Sequence, residues 1–191
     1  MVEIYPLAPG PAWWRAYMNQ KIQGCNNSDS VRFANETLLS FKEFGRMILR
    51  ESNEETIILS VPVEGGNRQL RKTEILGSLA LSDHGNWKKM HIGAIEACLG
   101  RKPFFRDLEP ALSQVYNNQS LVTLAEFNAA IFEVLNTFLM GNIKPSQLKE
   151  FSKNPVIIER GKEIAEELDK DVSMLQNIAL HGRDCLLGLL V

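Results

Sequence analysis

Trp87 and His91 stand four residues apart in the segment Asn-Trp-Lys-Lys-Met-His. Side chains four residues apart lie on the same face of a helix, so the sequence predicts that the indole and the imidazole are neighbours. An imidazole can accept or donate a proton near neutral pH, and an indole would give it an aromatic wall. The simpler interpretation is that both rings pack in a core. The helix alone does not decide between these two interpretations.

Two charged side chains elsewhere suit a site of the same kind. Arg46 begins the strand-like segment Arg-Met-Ile-Leu-Arg, and a guanidinium group fits both a phosphate and a carboxylate. Glu64 follows Val-Pro-Val, where a strand is expected to end and to present its carboxylate. Each residue also has an ordinary interpretation. Arg46 could be a solvated charge at a strand edge, and Glu64 could be a turn residue.

The spacing of histidine and cysteine argues against a metal site. His84, His91 and Cys98 recur at seven-residue steps. Seven helical residues advance about 10.5 Å, whereas each ligand of one zinc ion lies within about 2.3 Å of it. The sequence also lacks a Walker-type phosphate loop, a dinucleotide-binding glycine motif, Gly-x-Ser-x-Gly and His-Glu-x-x-His. We therefore expect no metal and no cofactor.

The composition is typical of a soluble globular protein. Hydrophobic residues make up 45% of the 191 residues and charged residues 23%, with a formal net charge of −2. Lys and Arg are spread along the chain, so no basic patch predicts binding to nucleic acid. Three widely spaced cysteines favour a reducing compartment. With no signal-peptide pattern, and no apolar run near the length of about 20 residues that spans a bilayer, we expect a cytoplasmic protein.

The first half of the sequence favours strands. Residues 3–8 predict a weak strand, followed by the loop Pro9-Gly10-Pro11 and a helix over 12–23. The strand-favouring segments after this helix are 31–39, 45–50, 56–63 and 71–81. Short polar connectors separate the last three segments, so a small and mostly antiparallel sheet is expected.

From His84 the apolar residues follow a helical period. The predicted helices cover 84–99, about 103–116, about 123–139 and the region 156–181. Thr123 and Glu126 have the spacing of a capping box, and Ser173 is most simply the N-cap of the last helix. An apolar stripe that is expected in the core consists of Ile164, Leu168, Val172, Leu175 and Ala179.

The change of period predicts an α+β fold. A small, mostly antiparallel sheet in the N-terminal half would be packed by helices from the C-terminal half. The strand-rich half alone is too small to bury both faces of a sheet, so we expect a single domain over residues 1–191.

An ordered set of motifs resembles the WbqC-like family of bacterial proteins. In chain order the motifs are Ala-Pro-Gly-Pro-Ala-Trp-Trp at 8–14, a segment ending in Arg46, Ile-Leu-Ser-Val-Pro-Val-Glu-Gly-Gly-Asn at 58–67, Arg-Lys-Thr-Glu-Ile at 71–75, Trp87-x-x-x-His91, Pro-Phe-Phe at 103–105, Leu-x-Glu-Phe-Asn at 124–128 and Asp-Val-Ser-Met-Leu-Gln-Asn-Ile-Ala-Leu-His-Gly at 171–182. The order of the motifs carries the resemblance, which is strongest between Leu59 and Asn128.

The resemblance implies a role in bacterial surface-polysaccharide biosynthesis. Proteins of this family are found with surface-polysaccharide genes, and acyl or aminoacyl transfer to an activated amino sugar of O-antigen or capsule is the activity it suggests. The positions that match the family pattern are Arg46, Glu64, Asn67, Trp87, His91, Asn128 and Ser173.

The resemblance also suggests roles for these residues. His91 would accept a proton from the attacking amine or hydroxyl, Arg46 would hold an anionic group, and Glu64 would complete the catalytic set. The side chains expected to contact a sugar or sugar-nucleotide ligand are Trp87, Asn67, Asn128 and Trp14. We expect the site to lie where three parts of the chain meet: the proline loop, the end of the strand at Glu64, and the helix face that carries Trp87 and His91.

Departures from the family pattern favour a second hypothesis. Phe44-Gly45-Arg46 replaces an expected Arg-Asn-Arg run, and Gln176 replaces an expected Asp. An aromatic residue near the end of the Trp–His helix is replaced by Cys98 or Leu99, and a segment with Lys and Tyr is not recognisable in 144–170. The chain could therefore be a non-catalytic ligand-binding or assembly protein that has lost activity. The sequence is compatible with a homo-oligomer and does not specify the number of subunits.

Overall fold

A computed structural model describes residues 5–24, 43–65 and 79–191 of the chain. The strand predicted over 31–39, most of the strand predicted over 71–81, and Asn67 lie outside the described residues.

Two antiparallel strands form the sheet of the described residues. Strand β1 covers Arg46–Arg50 and β2 covers Thr56–Ser60, with Ile48 paired to Ile58. Side chains alternate between the two faces of a strand, so Met47 and Leu49 are buried while Ile48 is exposed. Isolated bridges join Val63 to Leu81 and Ala80 to Thr123, which confirms that the pairing is antiparallel.

The N-terminal segment is not a strand. Residues 5–10 are irregular, so the strand predicted over 3–8 is wrong for its described part. Pro6 and Pro9 have no N–H to donate to a strand ladder. The carbonyl groups of this segment instead accept hydrogen bonds from other elements. The Tyr5 carbonyl accepts a hydrogen bond from Asn128, and the Pro9 carbonyl accepts one from the Met174 N–H. Helix α1 follows at Pro11–Gln23, as predicted, and ends at Gly24 in the left-handed region.

Three helices after His84 confirm the predicted change of period. They are α2 at Trp87–Leu99, α3 at Phe105–Asn117 and α4 at Leu124–Met140. The capping box of α4 is present, because the Glu126 N–H donates to Thr123 Oγ1 and the Thr123 N–H donates to Glu126 Oε2. The strand-to-helix order therefore gives the α+β fold expected from the sequence.

The predicted helical region 156–181 is divided into two helices. The C-terminal helices are α5 at Pro145–Phe151, α6 at Pro155–Glu167, α7 at Met174–His181 and α8 at Cys185–Leu189. Residues 168–173 are irregular because other groups bind their backbone. The Asn177 side chain bonds both the N–H and the carbonyl of Asp169, and the Ser173 N–H donates to the Ile48 carbonyl at 2.8 Å.

Buried residues from Tyr5 to Leu190 form one contiguous hydrophobic cluster. The cluster contains all of the predicted stripe except Val172, which is buried beside it. This continuity supports a single domain over residues 1–191, which stays a prediction.

Candidate functional site

His91 lies in the core between the sheet and α3. It is 5% exposed, with Nε2 at 3.2 Å from the Ser60 carbonyl and Nδ1 at 3.3 Å from the Tyr116 hydroxyl. A carbonyl only accepts, so Nε2 carries the proton and Nδ1 accepts from the Tyr116 O–H. Burial lowers the pKa of His91 to about 4, although the bond to Ser60 opposes the shift. The imidazole is therefore neutral at physiological pH, and both of its nitrogens are occupied.

Trp87 packs directly against this histidine, as the four-residue spacing predicts. The two ring centroids are 5.1 Å apart, and the indole N–H donates to the Ser82 carbonyl at 2.9 Å. Phe127 and Tyr116 surround the other side of the indole. Trp87 is 7% exposed, which confirms that it is largely buried.

We expect the buried histidine to make folding stability pH-dependent. The folded-state pKa of about 4 lies below the ordinary 6.5, so the unfolded chain binds more protons between these values. Stability is then complete above 6.5 and falls with decreasing pH through about 4, by up to about 3 kcal/mol. Urea unfolding of the wild type and of His91→Gln across this range measures the effect. Identical pH dependence in both proteins would contradict it.

A small cavity lies beside the proline loop. We call it the proline-loop cavity; its volume is about 180 Å³. It is lined by Pro9 and Gly10 of the loop, Trp13 of α1 and the segment Lys170–Ser173. Arg46 and Ile48 of β1 line it as well.

A larger cavity lies at the N-terminal end of α2. We call it the lysine cavity, after Lys88 and Lys89 in its lining; its volume is about 910 Å³. Glu64, Asp83, Trp87 and Tyr116 also line it. Backbone bonds hold its edges together, because the Glu64 N–H donates to the Ala80 carbonyl at 3.0 Å and the Leu81 N–H donates to the Val122 carbonyl at 2.8 Å.

The expected catalytic side chains do not line one cavity. Arg46 lines the proline-loop cavity and Glu64 lines the lysine cavity, while His91 lines neither. Of the predicted pairs, Trp87 and His91 are together, and Glu64 shares the lysine cavity with Trp87. Neither of these two cavities therefore brings the three residues together. Their catalytic roles stay predictions.

Two residues predicted to contact the ligand are buried away from both cavities. Trp14 is fully buried, and its ring stacks on Phe132 with centroids 5.1 Å apart. Its neighbour Trp13 lines the proline-loop cavity instead. Asn128 is also fully buried and donates to the carbonyls of Tyr5 and Phe44 at 2.8 Å and 2.7 Å. Asn128 thus holds two chain segments in place.

Sequence reasoning missed several residues of the two cavities. Lys88 and Lys89 are charged residues beside the Trp–His pair, and their position on the first turn of α2 was the available signal. Tyr116 lies 25 residues from His91 in the chain, so no local spacing could pair them. Ser173 has the N-cap position of α7, but its side chain makes no capping bond.

The family model of the WbqC-like protein family matches residues 16–179. This chain belongs to the WbqC-like family. The match includes Arg46, Glu64, His91 and both lysines of the lysine cavity, whereas the proline loop precedes its first residue. No curated protein and no solved structure matches the chain.

Two departures of this WbqC-like chain from the expected pattern have structural roles. Phe44 is buried in the core, and its carbonyl accepts from Asn128. Gln176 pairs with the backbone of Arg50 in both directions. The Arg50 N–H donates to Gln176 Oε1 at 2.7 Å, and Gln176 Nε2 donates to the Arg50 carbonyl at 3.2 Å. An ionised Asp could only accept, so Gln176 suits the edge of β1 better than the expected acid.

The described part of this WbqC-like chain contains neither a metal-binding cluster nor a membrane-spanning helix. Among residues 5–24, 43–65 and 79–191, His, Cys, Asp and Glu side chains form no group of three or more that could hold a metal ion. The same residues contain no helix with the length and apolar character needed to cross a membrane.

Proposed function

We propose that this WbqC-like protein binds an activated amino sugar in the lysine cavity, within bacterial surface-glycan biosynthesis such as that of O-antigen or capsule. One observation carries the proposal: two lysines, two carboxylates and an aromatic wall line a single cavity of about 910 Å³. Small-molecule sites typically have volumes of about 300–1,000 Å³ and combine apolar walls with a few polar groups. The resemblance to the family supports the pathway of this proposal, and the lining of the cavity supports the class of ligand.

Each part of an activated sugar has a matching group in the lysine cavity. The ammonium groups of Lys88 and Lys89 suit the phosphates of a nucleotide sugar. Glu64 and Asp83 are exposed carboxylates that can accept hydrogen bonds from sugar hydroxyls or from an amine. Lys88 Nζ lies 5.7 Å from the ring centroid of Trp87, which keeps a positive charge at the aromatic wall.

Transfer of an acyl or aminoacyl group to the bound sugar is the second candidate function. Glu64 favours it, because this carboxylate lies in the same cavity as the phosphate-binding lysines. The amine nitrogen of the sugar would attack the carbonyl carbon of an acyl thioester. A C–N bond forms, the C–S bond breaks, and the proton that Glu64 removes from the amine passes to the leaving thiolate.

A non-catalytic binding protein is the alternative, and the state of His91 favours it. Its two ring nitrogens bond Ser60 and Tyr116, so the imidazole has no free lone pair for a substrate.

We place the protein in the cytoplasm. The two described cysteines, Cys98 and Cys185, are free and buried, which suits a reducing compartment.

Calorimetric titration with UDP-glucosamine tests the binding proposal. We expect the double variant Lys88→Gln/Lys89→Gln to bind roughly tenfold or more weakly, because it removes both charges that would meet the phosphates. The matched control is Lys149→Gln/Lys153→Gln, which removes two exposed charges outside both cavities and should bind as the wild type does. Equal affinity of the wild type and the Lys88/Lys89 variant, or equally tight binding of glucosamine alone, would reject the site.

An assay of turnover separates acyl transfer from non-catalytic binding. The wild type is incubated with acetyl-coenzyme A and UDP-glucosamine, and the acylated sugar is measured by mass spectrometry. Product formation that Glu64→Gln abolishes, with sugar binding retained, supports transfer. Binding without product from this thioester supports the non-catalytic alternative.

A further inference from the structure

Two residues that line the proline-loop cavity have buried hydrogen-bond donors without partners in the described part of the chain. Ser173 and Trp13 both line it, and each is 2% exposed. Neither Ser173 Oγ nor Trp13 Nε1 has a hydrogen-bond partner in the described residues. A buried polar group without a partner destabilises a protein, so such groups usually have a bonding role. Both atoms are buried and not exposed to the cavity, and the serine O–H would reach a ligand by turning about χ1.

Two cations line the same cavity. Arg46 is partly buried, Lys170 is exposed, and no carboxylate of the described residues forms an ion pair with either. Asp171 also lines the cavity, but its Oδ2 lies 3.6 Å from Arg50 Nη2 and its side chain is 83% exposed. The two cations of the lining, unpaired within the described residues, therefore suit a ligand that presents negative oxygen acceptors.

The remainder of the lining is apolar and small. Leu7, Ala8, Ile48 and Val172 contribute hydrocarbon surface. The volume of about 180 Å³ is close to that of an engineered cavity of about 150 Å³ that holds one benzene molecule. A nucleotide is too large for this space, and a bare phosphate would leave the apolar wall without a contact.

The walls of the cavity are already held in position. The Pro9 carbonyl accepts the Met174 N–H at 2.9 Å, and the Ser173 N–H donates to the Ile48 carbonyl at 2.8 Å. A Cβ added to Gly10 would lie 3.1 Å from the Val172 carbonyl oxygen, so the loop and the opposite wall are in close contact. A ligand would therefore meet a preformed site and lose little free energy in ordering it.

We propose that the proline-loop cavity is a binding site for a small carboxylate with a short aliphatic chain. Arg46 binds the carboxylate, assisted by Lys170 and the Ser173 hydroxyl, and the chain lies against Ile48 and Val172. This inference is independent of the sugar site, because it concerns a different cavity and a different ligand.

Titration with butyrate tests the proposal, with butyramide as the neutral compound of nearly the same shape. We expect butyrate to bind, butyramide to bind at least roughly tenfold more weakly, and inorganic phosphate to bind more weakly than butyrate. Arg46→Gln should lower the affinity for butyrate by roughly tenfold or more, while Arg46→Lys should retain part of that affinity. Lys170→Gln changes an exposed residue and should weaken binding without affecting folding. The control Arg106→Gln removes an exposed arginine outside both cavities and should have no effect.

Ser173→Ala distinguishes a ligand contact from an N-cap. An N-cap serine contributes about 1 kcal/mol to stability, whereas this hydroxyl has no partner to lose. We expect an unchanged or slightly raised unfolding midpoint together with weaker butyrate binding. The proposal is overturned if butyrate does not bind, if butyramide binds as tightly as butyrate, or if phosphate binds more tightly than butyrate. It is also overturned if both Arg46→Gln and Lys170→Gln bind butyrate as tightly as the wild type does. None of these outcomes bears on UDP-glucosamine.

Discussion

Trp87→Ala is expected to lower the free energy of unfolding by about 3–5 kcal/mol. The indole contacts His91, Tyr116 and Phe127, with ring centroids between 5.1 and 6.2 Å away. Its removal loses these contacts, leaves a cavity, and leaves the Ser82 carbonyl without the indole N–H. Urea unfolding followed by circular dichroism measures the loss.

Two variants of α2 make the Trp87 experiment specific. Met90→Ala shortens a side chain that is 70% exposed on the same helix, so its effect should stay within about 0.5 kcal/mol. Trp87→Phe keeps most of the aromatic packing and loses the N–H, so its cost should lie between those of the wild type and Trp87→Ala. An unfolding midpoint of Trp87→Ala equal to that of the wild type would show that the indole is not part of the core.

Local signals in the sequence predicted the elements that depend on local interactions. The capping box of Thr123 and Glu126 is complete within four residues, and the structure contains both of its bonds. The strand-favouring composition of Arg46–Arg50 and the helical period from Trp87 onward are likewise properties of single elements. Such patterns need no knowledge of distant residues, which is why β1, α2 and α4 were placed to within a few positions.

The errors arose where distant groups bind the backbone. The apolar stripe from Ile164 to Ala179 continues through the break at 168–173, so periodicity alone could not reveal it. The break is fixed by bonds to Ile48 and from Asn177, and neither bond leaves a mark in the local pattern. The N-terminal residues 5–10 were misread for the same reason.

In the candidate site, too, local contacts could be predicted from the sequence and contacts between distant segments could not. The spacing of Trp87 and His91 gave their contact, but it could not show that Ser60 and Tyr116 occupy both nitrogens of the imidazole. Arg46 was placed correctly on β1, yet its cavity is built by the proline loop and the 170–173 segment. Which side chains share a cavity depends on tertiary packing, so the resemblance to the family could identify residues and not their grouping.

Asn128→Leu is expected to destabilise the fold by about 2–5 kcal/mol. The Asn128 amide nitrogen uses both of its hydrogens, on the carbonyls of Tyr5 and Phe44. Leucine has the same number of side-chain heavy atoms and no donor, so both carbonyls would remain buried without a partner, and each lost partner costs about 1–3 kcal/mol. Removal of the buried Asn128 Oδ1, which has no partner among the described residues, offsets part of this loss. Asn136→Leu, at a half-buried position of the same helix, is the matched control and should change stability little. Thermal and urea unfolding measure both variants.

The outcome for Asn128 also decides between two roles for this family position. A ligand-binding asparagine would leave the unfolding midpoint of Asn128→Leu near that of the wild type and reduce only ligand affinity. A residue that holds Tyr5 and Phe44 should instead lower the midpoint without any ligand present. Asn128→Asp sharpens the distinction, because an ionised carboxylate would face two carbonyl oxygens. Its destabilisation should exceed that of Asn128→Leu at neutral pH and diminish in acid, where the protonated carboxyl group regains one donor.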